Sequence, residues 1–394
     1  MNSYSNIRKI SAIGDPFWER TQAAGMSGVV AKNRGGGLME VAGKAFINMC
    51  SYSYLGLDSN PKILEGSIAA LREAGTLNSS TSRVRIKLSL LDEVESSLSE
   101  LYSLNALTTS SCASAASAVL PLLAAGVLTE NNPLLMVFDR SAHFCLSLMK
   151  PICADETQVL TSAHNDLEFL EDCCRKNARV AYVADGVYST GGVAKIKELM
   201  MLQEKYGLFV LYDEAHGLSI KGKNGCGVVL EEMGGLNANT MLIVSLNKGF
   251  GGSGGAIFFD DSIKRSSLLR FGGPLSWSQR INTAGLGAIL ASIQIHASNE
   301  INVLQERLAD NISRFDELLP SAAGGDGLPI RLIPMLDEVH AISAAEELMR
   351  QGFYTSPLFY PVVPKDTPGL RIMLRANLQD ADLVKFCTAV RSVL

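Results

Sequence analysis

Apolar runs of two kinds alternate along this chain. The short, almost unbroken stretches Leu134–Asp139, Val180–Asp185, Leu208–Asp213 and Met241–Leu246 read as buried strands. Pro61–Ala74 and Leu90–Tyr102 instead place apolar residues at helical spacing, and similar patterns fall between several of the strands. Such alternation predicts a largely parallel sheet covered by helices on both faces. Residues 1–45 read as an arm ending in a small β unit, with Gly35-Gly36-Gly37 as a turn before Leu38–Val41 and Ala45–Met49. After Trp277 a long helical pattern, Ala284 to Leu319, leads into a segment whose late strand is Leu370–Leu374. The expected division is therefore an arm and β unit over 1–49, a large domain over 50–284 and a smaller α/β domain over 285–394. There is no internal repeat or low-complexity tract.

Length and composition narrow this picture. A chain of 394 residues exceeds a usual single core, and 47% hydrophobic residues with only 7% aromatic indicate a core of Leu, Val, Ala and Ile. A net charge of -5 leaves no basic footprint for nucleic acid. The eight cysteines are scattered, and the adjacent Cys173-Cys174 has no metal-type partner, so reduced thiols in a cytoplasmic protein are expected and no metal site. Met1 to Arg20 has no cleavable hydrophobic core, and no apolar stretch approaches the ~20 residues of a membrane span. The sequons at Asn78 and Asn311 carry no weight without secretion.

Chemistry concentrates at two strand ends. Met241–Leu246 stops at Asn247-Lys248 and is followed by Gly249-Phe250-Gly251-Gly252-Ser253-Gly254-Gly255, where glycines let backbone crowd around one amine. A surface lysine at a strand end is an equal reading of those residues alone. Leu208–Asp213 breaks the tie, because it runs into Asp213-Glu214-Ala215-His216-Gly217, and ligands of open α/β sheets sit at the carboxyl ends of strands. A lysine and an acid converging there suit pyridoxal 5′-phosphate (PLP), which needs an amine for its Schiff base and a carboxylate for its ring nitrogen. The same letters spell a helicase DEAH box, followed by a pseudo phosphate loop, Gly217 to Asn224. That reading fails, because Asn224 stands where magnesium needs Ser or Thr and the loop follows the acidic box instead of preceding it.

Together with Ser51-Tyr52-Ser53-Tyr54-Leu55-Gly56-Leu57, Asp139-Arg140-Ser141-Ala142-His143 and Gly369-Leu370-Arg371, these motifs resemble the α-oxoamine synthases among the fold-type-I PLP enzymes. That family includes aminolevulinate synthase, aminoketobutyrate ligase, amino-oxononanoate synthase and serine palmitoyltransferase. The resemblance covers most of the chain and is strongest over 139–255. It implies an aspartate aminotransferase-like α/β fold with a mostly parallel sheet. It also implies Lys248 as the Schiff-base lysine and proton carrier, Asp213 under the ring nitrogen, His216 on the ring hydroxyl and His143 stacked on the ring. Ser111 and Cys112, at the start of a small-residue helix, and Ser245 would face the phosphate; Ser189 would lie beside the ring. Arg371, with Tyr52 and Ser53, would bind the amino-acid substrate. His164, His296 and His340 take ordinary structural readings, His164 preceding a helix start at Asn165-Asp166.

The chain also departs from the family. Ser111 and Ala115 replace a usual glycine and asparagine, Gly272-Gly273-Pro274-Leu275-Ser276 replaces a Ser/Thr-rich segment, and Asn377-Leu378 lacks a frequent histidine. Tyr52 stands where some members carry asparagine. Arg83, Arg85 and Lys87 read as a solvated basic face or a contact for an acyl carrier. The expectation is a PLP-dependent acyltransferase that condenses a small amino acid with an acyl thioester, carried by coenzyme A or a carrier protein, and releases carbon dioxide. A homodimer without membrane span or nucleic acid, serving a specialised pathway, completes it. The alternatives are an aminotransferase or lyase of the same fold, and a silent partner subunit, which would have no need of Lys248.

Overall fold

Local signals in the sequence set where most helices begin and end. In the helix Pro61–Ala74, Asn60 accepts the Lys62 N–H at 2.9 Å, proline occupies the first turn, and Gly75 closes the far end at φ 62°. Ser111 caps Cys112–Ala124 by accepting the Ser114 N–H at 3.0 Å, and Asp166 caps Leu167–Lys176 through Phe169 N–H. The computed structural model describes residues 7–130, 132–321 and 323–394. The start of the expected arm, residues 1–6, lies outside the described residues.

By its contacts the chain forms two units, Asn60–Tyr188 with Val193–Val303, and Met1–Ser59 with Ser189–Gly192 and Leu304–Leu394. The larger unit is built on a seven-stranded sheet in the order Asn105–Thr109, Gly255–Phe259, Thr240–Ser245, Phe209–Asp213, Val180–Asp185, Leu135–Asp139, Val159–Ser162. The last five of these run parallel, and Gly255–Phe259 is antiparallel to both its neighbours. Its central strands are buried end to end, as a sheet covered on both faces requires.

The second unit holds a four-stranded sheet, Lys32–Gly35, Leu38–Val41, Lys44–Asn48 and Phe353–Tyr354, and a three-stranded one, Ile330–Pro334, Gly369–Met373 and Ser356–Leu358. The pairing of Phe353–Tyr354 with Lys44–Asn48 ties the N-terminal segment to the C-terminal one. The contacts therefore divide the chain after Ser59 and Val303, where the sequence suggested 49 and 284.

Three local expectations change. The helical pattern from Ala284 to Leu319 is two helices, Thr283–His296 and Glu300–Leu318, because Ser298 turns its hydroxyl to Ile295 O and then accepts the Glu300 N–H. The arm contains a helix, Ile7–Ala23. A further strand, Lys32–Gly35, precedes the Gly35-Gly36-Gly37 turn and pairs with Leu38–Val41.

Candidate active site

Two adjacent parallel strands deliver the principal groups. Phe209–Asp213 pairs with Thr240–Ser245 so that Asp213 lies opposite Ile243, and Glu214 N–H continues the ladder onto Ile243 O at 2.8 Å. Beyond their carboxyl ends, Lys248 Nζ is 2.9 Å from His216 Nε2. Asp213 is buried; its Oδ1 accepts the Ala215 N–H at 2.9 Å. Burial holds the Lys248 ammonium below its ordinary pKa, opposed chiefly by the negative charge of Asp213.

The glycine stretch after Lys248 is the hairpin that reverses the chain into Gly255–Phe259, closed by Leu246 N–H to Gly254 O at 2.9 Å. Gly254 sits at φ 80°, and a Cβ there would lie 2.5 Å from Thr109 O. A Cβ on Gly255 would lie 2.6 Å from Cys112 N, so the hairpin packs directly on the start of the helix Cys112–Ala124. First-turn N–H groups of a helix have no acceptor within it and favour a dianion. An amine, a buried carboxylate, a histidine and such a helix start, with glycine where side chains would fill the approach, fit PLP.

His143 is exposed on the turn after Leu135–Asp139, and its backbone N–H donates to Asp185 Oδ1 at 2.9 Å. Its Nδ1 lies 3.0 Å from Cys145 Sγ. Ser111 spends its hydroxyl on the helix cap, and Ser245 donates to the Asn247 side chain. Arg371, Tyr52, Ser53 and Ser189 all belong to the second unit. There Arg371 Nη2 donates to Tyr52 Oη at 2.8 Å, with the guanidinium 5.5 Å from the ring centre, and Nη1 reaches Ser189 O at 3.4 Å. Arg371 Nε is buried without an acceptor among the described residues. Ser53 Oγ accepts the Asp58 N–H at 3.1 Å.

Several neighbours were not singled out in the sequence. Asp185 lies opposite Asp213 on the next strand, and burial followed by the Asp213 charge raises its carboxyl well above the usual range. Its signal was present, since it ends a buried run just as Asp213 does. Cys145, and with it Cys112, which the sequence placed at the phosphate, each bring a sulfur to 3.6 Å from Asp213, and burial raises both thiols. Nothing in the spacing announced that the two would meet at one carboxylate. Glu214, the next residue, is fully buried against Gly186 and Gly217; burial pushes it up to about 8, opposed by the Val228 and Val229 N–H groups.

The ordinary histidines behave as expected. His164 contacts Asp139, His340 Nε2 lies 3.1 Å from Val393 O, and His296 is buried against Phe250, its pKa pushed down to about 4 by burial. The basic run is corrected in part. Arg83 is buried, its Nη2 donating to both Glu95 carboxylate oxygens, and Lys87 also reaches Glu95, so neither is a free carrier contact.

This mixed, mostly parallel sheet with its lysine hairpin is the fold-type-I PLP-transferase fold. Serine palmitoyltransferase from S. paucimobilis with a bound PLP–myriocin aldimine superposes with a TM-score of 0.84 at 21% identity, over 98% of this chain and 99% of that one. The chain belongs to the class I and II aminotransferase family, whose model matches residues 44–390. It is 29% identical to 8-amino-7-oxononanoate synthase of Maricaulis maris, over 91% of this chain and 90% of that protein. It is 27% identical to the Petrotoga mobilis protein of the same name, over 88% of each.

Proposed function

We propose that the protein is a PLP-dependent α-oxoamine synthase, an acyltransferase that joins an amino acid to an acyl thioester, releases carbon dioxide and forms an α-amino ketone. The observation that carries this reading is the convergence of Lys248, His216 and Asp213 beyond two adjacent strands. Relatives named 8-amino-7-oxononanoate synthase, matched over about nine-tenths of both chains, support the acyl-transfer chemistry over amino transfer.

When bound, PLP supplies an electron sink for charge developing at the amino acid's Cα. Lys248 is the group that takes and returns the Cα proton; its lowered pKa favours the neutral amine, which is both nucleophile and base. Asp213 would hold the ring nitrogen protonated, and His216, 2.9 Å from the lysine amine, would steady the lysine and the ring oxygen. His143, exposed at the turn, would cover the ring and relay protons at the substrate. The helix start at Ser111 and Cys112 would receive the phosphate. Arg371, with one buried donor still unpaired, grips the substrate carboxylate, and Tyr52 holds its fork in orientation. We further assign a homodimer in the cytoplasm, the latter consistent with eight unpaired cysteines.

The test is mass spectrometry after PLP-loaded protein meets pooled amino acids with coenzyme A and carrier-protein thioesters. A product equal to amino acid plus acyl group minus carbon dioxide, with thiol release, is expected. An amine-exchanged keto acid with the thioester untouched would overturn the reading in favour of an aminotransferase.

A further inference from the structure

Beside Lys248 lies a set of metal-type donors that the proposed chemistry does not use as such. His143 Nδ1 and Cys145 Sγ are 3.0 Å apart, and Cys145 Sγ is 3.6 Å from Asp213 Oδ2. Nδ1 also accepts the Cys145 backbone N–H at 3.3 Å, a bond that a metal at Nδ1 would replace. The ligand atoms of these three residues all lie within 4.8 Å of one another. A second sulfur, Cys112 Sγ, meets the same carboxylate 3.6 Å from each oxygen. The donors come from separate elements: His143 on the turn after Leu135–Asp139, Cys145 on the short helix Phe144–Ser147 that His143 caps, Asp213 at the end of Phe209–Asp213 and Cys112 in the first turn of Cys112–Ala124. Strand order therefore sets their spacing, which is why no cysteine pattern in the sequence pointed to a metal.

Imidazole, thiolate and carboxylate together are a zinc-type donor set. Zinc–ligand bonds of roughly 2.0–2.3 Å in a tetrahedron separate the ligand atoms by about 3.3–3.8 Å. The Cys145–Asp213 contact meets that as it stands, the His143–Cys145 contact meets it after opening by about half an ångström, and the His143–Asp213 pair, within 4.8 Å, completes the set by rotation of the exposed imidazole.

We propose that, without cofactor, His143 Nδ1, Cys145 Sγ and an Asp213 oxygen bind Zn²⁺, with the fourth position taken by Cys112 Sγ or water, and that zinc and PLP exclude each other. The Cys145 S–H loses its proton to solvent as the Zn–S bond forms. Exclusion rests on the cofactor reading, in which Asp213 faces the ring nitrogen; metal binding itself does not.

The experiment equilibrates metal-free, cofactor-free protein with Zn²⁺ under chelator competition and repeats it with Co²⁺, whose sulfur charge-transfer band reports thiolate ligation. One zinc per chain and a cobalt–sulfur band are expected. Cys145→Ala should lose at least about ten-fold in affinity, while Cys173→Ala, outside the cluster, should not. PLP uptake by Cys145→Ala, read from visible absorbance, verifies that this variant is folded. Absent zinc, or zinc unaffected by Cys145→Ala, overturns the site. Zinc that depends on Cys145 yet stays when PLP binds upholds the site and overturns the exclusion. Zinc binding in a protein that never takes up PLP upholds the site and counts against the proposed function alone.

Discussion

At the scale of single residues, the lysine amine is governed by two opposed effects. Burial removes water from the ammonium, while the negative charge of Asp213 pulls the other way; the net pKa is lowered. Neutral amine is therefore present at lower pH than for an ordinary lysine. The rate of PLP uptake should rise with pH through an inflection below 10.5, the ordinary value, and stopped-flow absorbance measures it. An inflection at or above 10.5 would contradict the assignment of Lys248. In the proposed reaction His143 serves the substrate side, so His143→Ala should retain visible PLP absorbance while kcat for ketone formation falls by about 10²-fold or more. Loss of the cofactor with no separate effect on kcat would reduce His143 to a binding role.

At the scale of elements, two buried carboxylates brace the strands that carry the site. Glu95, on the helix Ser89–Tyr102, accepts from Arg83, from Arg265 and from the backbone and hydroxyl of Thr108 on Asn105–Thr109. Glu95→Ala would leave the Arg83 charge buried and unpaired, a loss of about 3–5 kcal/mol that urea unfolding would register. Asp139 ends Leu135–Asp139 and accepts from Tyr182 and Tyr188 hydroxyls, from Ser141 and Asn165 N–H groups and from His164. Burial raises its pKa, but the hydrogen bonds from His164, Asn165, Tyr182 and Ser141 together outweigh burial and leave it below 3.8. A depressed folded pKa means that its stabilisation is present above the unfolded value and disappears as pH falls through the folded one. The unfolding midpoint should therefore drop more steeply below pH 3.8 in the unsubstituted protein than in Asp139→Asn.

At the scale of the whole molecule, the larger unit exposes apolar side chains that a lone chain has no use for. Trp277 is 84% exposed and Phe271 63%, with Val84 and Ile86 also open to solvent. A second copy of the chain is the proposed cover. Sedimentation should give the mass of two chains, and Trp277→Glu should shift the equilibrium toward one chain while its circular dichroism stays unchanged. A monomer in the unsubstituted protein would remove the homodimer assignment. The Gly272-Gly273-Pro274-Leu275-Ser276 segment adjoins Trp277 and forms the short helix Gly273–Trp277, in which the Ser276 hydroxyl donates to Leu269 O at 2.8 Å. That hydroxyl already has an intrachain acceptor.

The sequence by itself determined the parallel heart of the sheet and the ends of its strands. An apolar run buried on both faces and stopped by a polar residue marks the end of a buried strand; the Met241–Leu246 run alone left Lys248 open to a surface reading, and only its pairing with Leu208–Asp213 made Lys248 and Asp213 candidates together. The strands it concealed were of other kinds. Gly255–Phe259 merges into the glycine stretch, Asn105–Thr109 is largely polar, and Val159–Ser162 is four residues long with only its ends buried. Tertiary structure alone decided the rest. It tied the N-terminal strands to the C-terminal segment through the pairing of Lys44–Asn48 with Phe353–Tyr354. It set Asp185 beside Asp213, turned Arg83 inward onto Glu95, and brought Cys112 and Cys145 to one carboxylate. Periodicity reports which residues avoid water, whereas strand order decides which distant residues meet.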